Sequence, residues 1–517
     1  MKALKGLLIY VGLVLGIALG IGLIMLCIMY FFPSVRIAGY GLVHYSKTVN
    51  GQVIAIDESY ELDDVNLTIT SENIGINVVP IEGNQIVSDL KLSIFGISSE
   101  VVEYQVVKSE VVGEDGKLNV FLTVTEPSGW ISTSSSVVNV GVPSGMKWGL
   151  TTSTKGGSIV VGSKDVSIKL SSLAVSTGKG DFLLVNAGET ITTADGQSNN
   201  LNLDTMTLST KTGKFDLGNI GTIAVMDPVE LSSQMGEFIF DQLLASTDVT
   251  GNDVKLTANK ISCTESGFSF IGVNGFINIG SLDCALGSEN TLLAENLELN
   301  ISSLSGKSAI VTTYGDVNIG ETQDYTMIND QDGNINVRKA SATIVAKTNM
   351  GDITVEEYYG TGKFSSNRGN IRVFSRSEYN KDFYTEISNV DGDVKIKNQV
   401  NRLIVNTTNR SDVLVIFGKI KTDLPENEVF QHKINVSKTE GSCIVRIPET
   451  GTGFAPFKYI ATGVISSNLF KAGEHYFPND GTDNVNAAAR SVSFEFLGKM
   501  NITTHRIEDL ASGSYWE

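Results

Sequence analysis

The sequence predicts an all-β protein: a parallel β-helix (β-solenoid) ectodomain with flanking β segments, preceded by one N-terminal transmembrane helix. Three observations predict it. Gly6 to Phe32 is an uninterrupted apolar run of 27 residues. After Pro33 there is no amphipathic helical stretch of 12 or more residues. The rest of the chain is a succession of short β-rich runs punctuated by Gly, Asn and Asp, part of it in strict repeat.

The apolar run comes first. About 20 residues cross a bilayer as a helix, so residues 6–32 suffice. Lys2 and Lys5 precede the run, and the positive-inside rule puts residues 1–5 in the cytoplasm and everything after Pro33 outside the membrane. A cleaved signal peptide has a shorter core and an A-x-A site, which is missing here. Leu26 precedes Cys27 where a lipoprotein signal needs a small residue, and Val11 stands where a type IV prepilin has Glu. Gly12, Gly16 and Gly20 share one helix face, which suits self-association or pairing with another membrane helix. Gly is also simply common in membrane helices.

Residues 33–145 are expected to be a β region leading into the solenoid. Its strand candidates are residues 65–70, 74–79, 101–107, 118–124 and 137–142, with Asp115-Gly116 at a turn.

The solenoid itself is assigned to residues 146–420. Its signature is Thr312-Thr-Tyr-Gly-Asp-Val-Asn-Ile319, Asp332-Gly-Asn-Ile-Asn-Val337, Asn349-Met-Gly-Asp-Ile-Thr-Val355, Asn367-Arg-Gly-Asn-Ile-Arg-Val373 and Asp391-Gly-Asp-Val-Lys-Ile396. Gly315, Gly333, Gly351 and Gly369 are 18 apart, and Gly392 follows after 23. Gly suits a corner of positive φ and Asp or Asn suits the turn beside it. The alternation then sets Val317, Ile335, Ile353, Ile371 and Val394 in one buried column and Ile319, Val337, Val355, Val373 and Ile396 in the next. Asn318, Asn336, Thr354, Arg372 and Lys395, between them, must face solvent. A strand pattern of this period is one coil of a solenoid. Looser copies begin at Gly180, Gly213, Gly236 and Gly267. Residues 421–517 hold four of the nine prolines and three of the four histidines, and are expected to cap the open strand edge.

These motifs resemble a bacterial adhesin family, domains of unknown function related to the auto-transporter adhesin head domain. The resemblance rests on the Gly-Asp coils and on Val138-Asn-Val-Gly-Val-Pro143 followed by Gly156-Gly-Ser-Ile-Val-Val161, because in that family a strand ending in Pro precedes the first such coil. It covers residues 74–415 and implies a cell-surface role in a bacterial envelope.

The net charge of −18 argues against nucleic-acid binding. The four cysteines and four histidines lie in no zinc or CxxC spacing, so no metal or other cofactor is expected. Acidic turns such as Asp330-Gln-Asp332 and Asp391-Gly-Asp393 match no calcium loop and serve turn formation. No carboxylate pair or Ser-His-Asp order points to an enzyme. The stretch from Arg338 to Lys421 carries a net +5, unlike the rest. Within it Tyr358, Tyr359, Lys363, Arg368, Arg372, Arg376 and Tyr379 form an aromatic and basic set suited to a glycan or an anionic cell-wall polymer. The alternative is that the aromatics pack and the charges keep the face soluble. Cys263 and Cys284, one coil apart, are a candidate disulfide, with buried thiols as the alternative. The function expected is a non-catalytic surface protein for adhesion or envelope structure, meeting cell-wall polymer, surface glycan or another surface protein. A lipid-handling β-groove, which would need an open apolar groove, and a self-assembling scaffold are the rivals.

Overall fold

The computed structural model describes residues 2–31, 36–37, 40–56, 65–98, 104–114, 116–126, 130–133, 135–193, 196–263, 266–285, 287–378, 380–409, 411–418, 430–436, 442–448, 457–467, 470–472, 475–477 and 490–505. Beyond one N-terminal helix, every regular element among them is a strand, and the fold is a β-solenoid. The chain divides into two compact units, Met1–Asp241 and Gln242–Glu517.

In the first unit the helix runs Lys2–Phe31 and takes in the lysines placed in a short tail. Its segment Tyr10–Phe31 has the length and hydropathy to cross a membrane. The strand Tyr40–Ala55 then pairs antiparallel with Gln85–Ser98. Gln105–Val112 and Leu118–Thr125 form a hairpin closed at Gly116, whose φ is +80°. Parallel coil stacking begins earlier than residue 146. Leu118–Thr125 lies beside Val65–Ser71, which lies beside Lys147–Thr154, then Lys169–Thr177 and Thr205–Thr210. Val137–Pro143, Gly75–Ile81, Ile159–Gly162 and Phe182–Val185 form a second stack in the same order. The chain therefore builds an inner coil first, then the outermost one, and crosses back to continue on the other side. Buried side chains fill the interior in columns, such as Val120, Leu67, Leu150, Leu173 and Met206. The Trp148 indole is buried and donates to the Pro143 carbonyl at 3.1 Å. Phe182, Phe215 and Phe238 stack edge to face, 5.4 and 5.5 Å apart.

The second unit holds the regular coils. Thr247–Cys263, Phe268–Cys284 and Glu289–Leu304 are long parallel strands. From Lys307 on, each coil splits into two strands at the glycine corner, as in Lys307–Tyr314 and Val317–Thr322. One register column runs Leu256, Ile277, Leu299, Val317, Ile335, Ile353, Ile371, Val394, Val413 and Cys443, every member at most 2% exposed. Burying each aliphatic member contributes about 1.5–3 kcal/mol against leaving it in water. The expected columns thus stand inside, and the Asn318, Asn336, Thr354, Arg372 and Lys395 column stands outside. Stacking continues past residue 420: Phe430–Val436 and Ser442–Pro448 lie parallel to the preceding coil, and Arg490–His505 pairs with both.

One expectation is corrected. Of the five corner glycines only Gly315 and Gly392 have positive φ. Gly333, Gly351 and Gly369 are required by stacking instead. A Cβ on each would lie 1.9–2.0 Å from the carbonyl oxygen of the corner glycine one coil before. The glycine column lets successive corners approach as closely as the strands do.

Candidate functional site

A groove of about 530 Å³ lies on the outer face of the second unit, spanning five coils. The lining follows one strand pattern, from Asn278 through Asn300-Ile-Ser302, Asn318-Ile-Gly320 and Asn336-Val-Arg338 to Thr354 and Glu356. Period two turns the central aliphatic residue inward and the two flanking residues outward. The amides form one wall. Asn318 Nδ2 donates to Asn300 Oδ1 at 3.1 Å, and Asn336 Nδ2 donates to Asn318 Oδ1 at 2.9 Å. Asn318, the middle rung, spends one N–H and one acceptor site on its neighbours, which leaves its other N–H and lone pair for a ligand. Ser302 and Gly320 keep the other side low, and Gly280 continues their row on the coil before. A Cβ on Gly280 or Gly320 would lie 2.3–2.4 Å from a backbone carbonyl of the previous coil, so the absence of a side chain is enforced by packing. The exposed Arg338 and Glu356 stand where the small residues stop.

Beside the corner glycines runs a second ladder. Asp316 Oδ1 accepts the Asn334 backbone N–H at 2.9 Å, Asn334 Oδ1 that of Asp352 at 3.0 Å, Asp352 Oδ1 that of Asn370 at 2.7 Å, and Asn370 Oδ1 that of Asp393 at 2.9 Å. These carboxylates hold coils together. Alternation with Asn keeps like charges from stacking, because the Asn334 and Asn370 amides also donate to the preceding Asp at 3.1–3.2 Å.

Residues 67–397, more than half of the chain, match the model of the Toastrack family, a domain of unknown function. This chain belongs to the Toastrack family. No curated protein matches it. Among solved structures it is similar to that of a "putative cell adhesion protein" from Clostridium sporogenes, at 9% identity over 89% of this chain and 100% of that one. The TM-score is 0.17, so that likeness carries no weight.

The aromatic and basic set of this Toastrack chain is divided by the fold. Tyr358 is corrected from surface to core. It is fully buried, its ring packs edge to face on Phe364 at 5.5 Å, and its hydroxyl meets Thr385 Oγ1 at 2.6 Å and Gln399 Oε1 at 3.3 Å. Burial pushes the phenol up to about 12. Two successive positions, Glu356 and Glu357, are less buried, so the sixth residue of the strand turns inward, as Thr322 and Ala340 do on the preceding coils, and the small Ala340 and Ser375 on the flanking coils leave room for the ring. Tyr359 is exposed and Tyr379 lies outside the described residues. Arg372 faces Asp352 at 3.9 Å, Lys363 faces Glu386 at 3.9 Å, and Arg376 contacts Glu357 at 3.1 Å while lying over Phe374 at 4.3 Å. The Tyr384 hydroxyl beside Lys363 holds its ammonium above the usual range. Arg368 is exposed, level with Met350 and Asp391 on the adjoining coils. Three of the four cations are thus already matched by carboxylates.

Gly12, Gly16 and Gly20 lie on the helix with open space where a Cβ would stand. Cys263 and Cys284 are register partners and both are thiols. Sequence reasoning placed the Asn column outside but missed the groove. The signal was the Asn-Ile-Gly or Asn-Ile-Ser triplet at 278, 300 and 318.

Proposed function

We propose that this chain is a non-catalytic surface protein. The N-terminal helix anchors it with residues 1–5 in the cytoplasm, and the solenoid outside presents a face for adhesion or envelope structure. The observation that carries this reading is the amide ladder beside a floor of Gly and Ser. Shallow, neutral and extended, such a surface suits a linear polysaccharide, whose hydroxyls pair with the outward N–H and oxygen of successive amides. Stacked coils repeat the same contact at about 4.8 Å, so affinity accumulates along the strand direction of the ligand. The interior columns of both units are filled by buried side chains, which counts against the lipid-handling alternative.

The test is binding of the detergent-solubilised full chain to a panel of cell-wall polymers and surface glycans. Asn318→Leu with Asn336→Leu is expected to weaken binding roughly a hundredfold, from the loss of two or three hydrogen bonds of about 1 kcal/mol each. Arg368→Ala with Arg376→Ala is expected to leave it largely unchanged. Salt-sensitive binding lost only in the arginine variant moves the site to the basic coils. Failure to bind any polymer or glycan removes the adhesion reading.

A further inference from the structure

The pairing of Cys263 with Cys284 is the feature that the binding face does not use. The two residues end the long parallel strands Thr247–Cys263 and Phe268–Cys284, which stay in register from Thr247↔Phe268 to Cys263↔Cys284. Partners on adjacent strands lie about 4.8 Å apart with side chains on the same side, inside the Cα separation of about 4.4–6.8 Å that a disulfide spans. Cys263 is buried and Cys284 half-exposed, so a small reagent reaches the second first.

The surroundings tolerate the bond. Gly306, on the next coil, packs against Cys284 where any side chain would crowd its Cβ at 2.9 Å. The Cys284 thiol donates to Asn290 Oδ1 at 2.8 Å. That oxygen also accepts the Phe268 N–H at 3.3 Å, and Asn290 Nδ2 donates to the Ser305 carbonyl at 3.0 Å and to Ser308 Oγ at 3.1 Å. Losing the S–H donor therefore leaves this buried amide fully engaged.

We propose that Cys263 and Cys284 are a coil-to-coil disulfide site, oxidised by exchange with a low-molecular-weight disulfide. The Cys284 thiolate attacks one sulfur of the reagent and displaces the first thiol, which carries away a proton. The Cys263 thiolate then attacks the Cys284 sulfur of the mixed disulfide and displaces the second. Two electrons and two protons pass from the pair to the reagent, which leaves as two thiols. Cys284 is the nucleophile because it is the more exposed of the two and meets the reagent first, while Cys263 is buried. Cys443 is a built-in control: it is buried, pushed up to about 12, and stacked over Val413 with no cysteine opposite. The bond would pin the first coil of the groove, since Asn278 lies on the strand that Cys284 ends. It does not depend on what the groove binds.

The experiment takes the full chain in detergent, fully reduced, through a series of glutathione–glutathione disulfide ratios. Free thiols are then counted under denaturing conditions by maleimide mass tagging. Oxidation is expected to lower the count from four to two at ratios where glutathione is still mostly reduced, with one peptide linkage, 263 to 284, in the mass spectrum. The Cys443→Ser variant is expected to form the same linkage, and Cys284→Ser to form none while keeping glutathione off Cys263. The proposal is overturned if four thiols persist in glutathione disulfide alone, or if the linkage found involves Cys27 or Cys443.

Discussion

Replacing Asp330 by Asn is expected to stabilise the fold at neutral and alkaline pH and to leave it nearly unchanged in acid. Asp330 occupies the interior corner column that contains Thr312, Thr348, Ser366, Asn389 and Thr407. Its neighbours there donate to corner carbonyls. Thr312 Oγ1 reaches the Tyr314 oxygen at 2.8 Å, Thr348 Oγ1 the Gly333 oxygen at 3.2 Å, Ser366 Oγ the Gly351 oxygen at 3.1 Å, and Asn389 Nδ2 the Gly369 oxygen at 3.0 Å. An ionised Asp has nothing to donate. It is 1% exposed, and neither carboxyl oxygen makes a hydrogen bond of ordinary geometry. Burial, helped by the charges of Asp316 and Asp332 and only partly offset by the Asp332 and Gln331 backbone amides, pushes the acid up to about 7. The folded chain thus holds this proton more tightly than the unfolded chain, whose carboxyl ionises near 3.8. Its contribution is complete below about pH 4, declines as pH rises, and is gone above about 7. The separation of some three pH units corresponds to ~4 kcal/mol as an upper bound. Asn removes the titration and restores a donor, as Asn389 shows. Urea unfolding at pH 4, 6 and 8 is the assay. A gain of about 2–4 kcal/mol at pH 8, shrinking to under about 1 kcal/mol at pH 4, is expected. Parallel pH profiles for the two proteins, or an Asn variant less stable at pH 8, would refute the reasoning.

Gly351→Ala is expected to cost about 1–3 kcal/mol and to loosen the adjoining coils in hydrogen exchange, because its Cβ overlaps the Gly333 carbonyl; unchanged stability would mean the corner column has slack. Tyr358→Phe leaves Thr385 and Gln399 short of a buried partner, so a loss of about 1–2 kcal/mol in the urea midpoint is expected, with polymer binding unaltered. In the groove, Gly320→Ala is expected to shift the wall through its clash with the Ser302 carbonyl and to weaken binding more than stability, compared by titration and melting on the same preparation.

The regular coils were legible because their two signals coincide. An 18-residue glycine period fixes the corner, and strict alternation fixes which column is inside. The early coils were hidden for the opposite reason. Val65–Ser71 and Gln105–Val112 look alike in sequence, yet one joins the parallel stack and the other a hairpin, and period two does not distinguish them. Tyr358 was misplaced because alternation slips after the second buried column of each coil, so the sixth strand residue turns inward, as at Thr322 and Ala340, and strict period two does not carry that slip. The groove depended on the emptiness beside the Asn column, and missing side chains draw less attention than aromatic and basic ones.

The alternation of Asp and Asn beside the corners sets a rule for how this chain can change length. Stacked repeats invite tandem duplication and deletion, since a coil meets only the coils before and after it. Between Asp316 and Asp393, however, losing one coil would bring two aspartates or two asparagines together. Two aspartates repel, whereas two asparagines pair across coils as Asn300, Asn318 and Asn336 do. Losing an Asn rung is therefore expected to be costlier than losing an Asp rung, an asymmetry imposed on inheritance by electrostatics between neighbouring rungs.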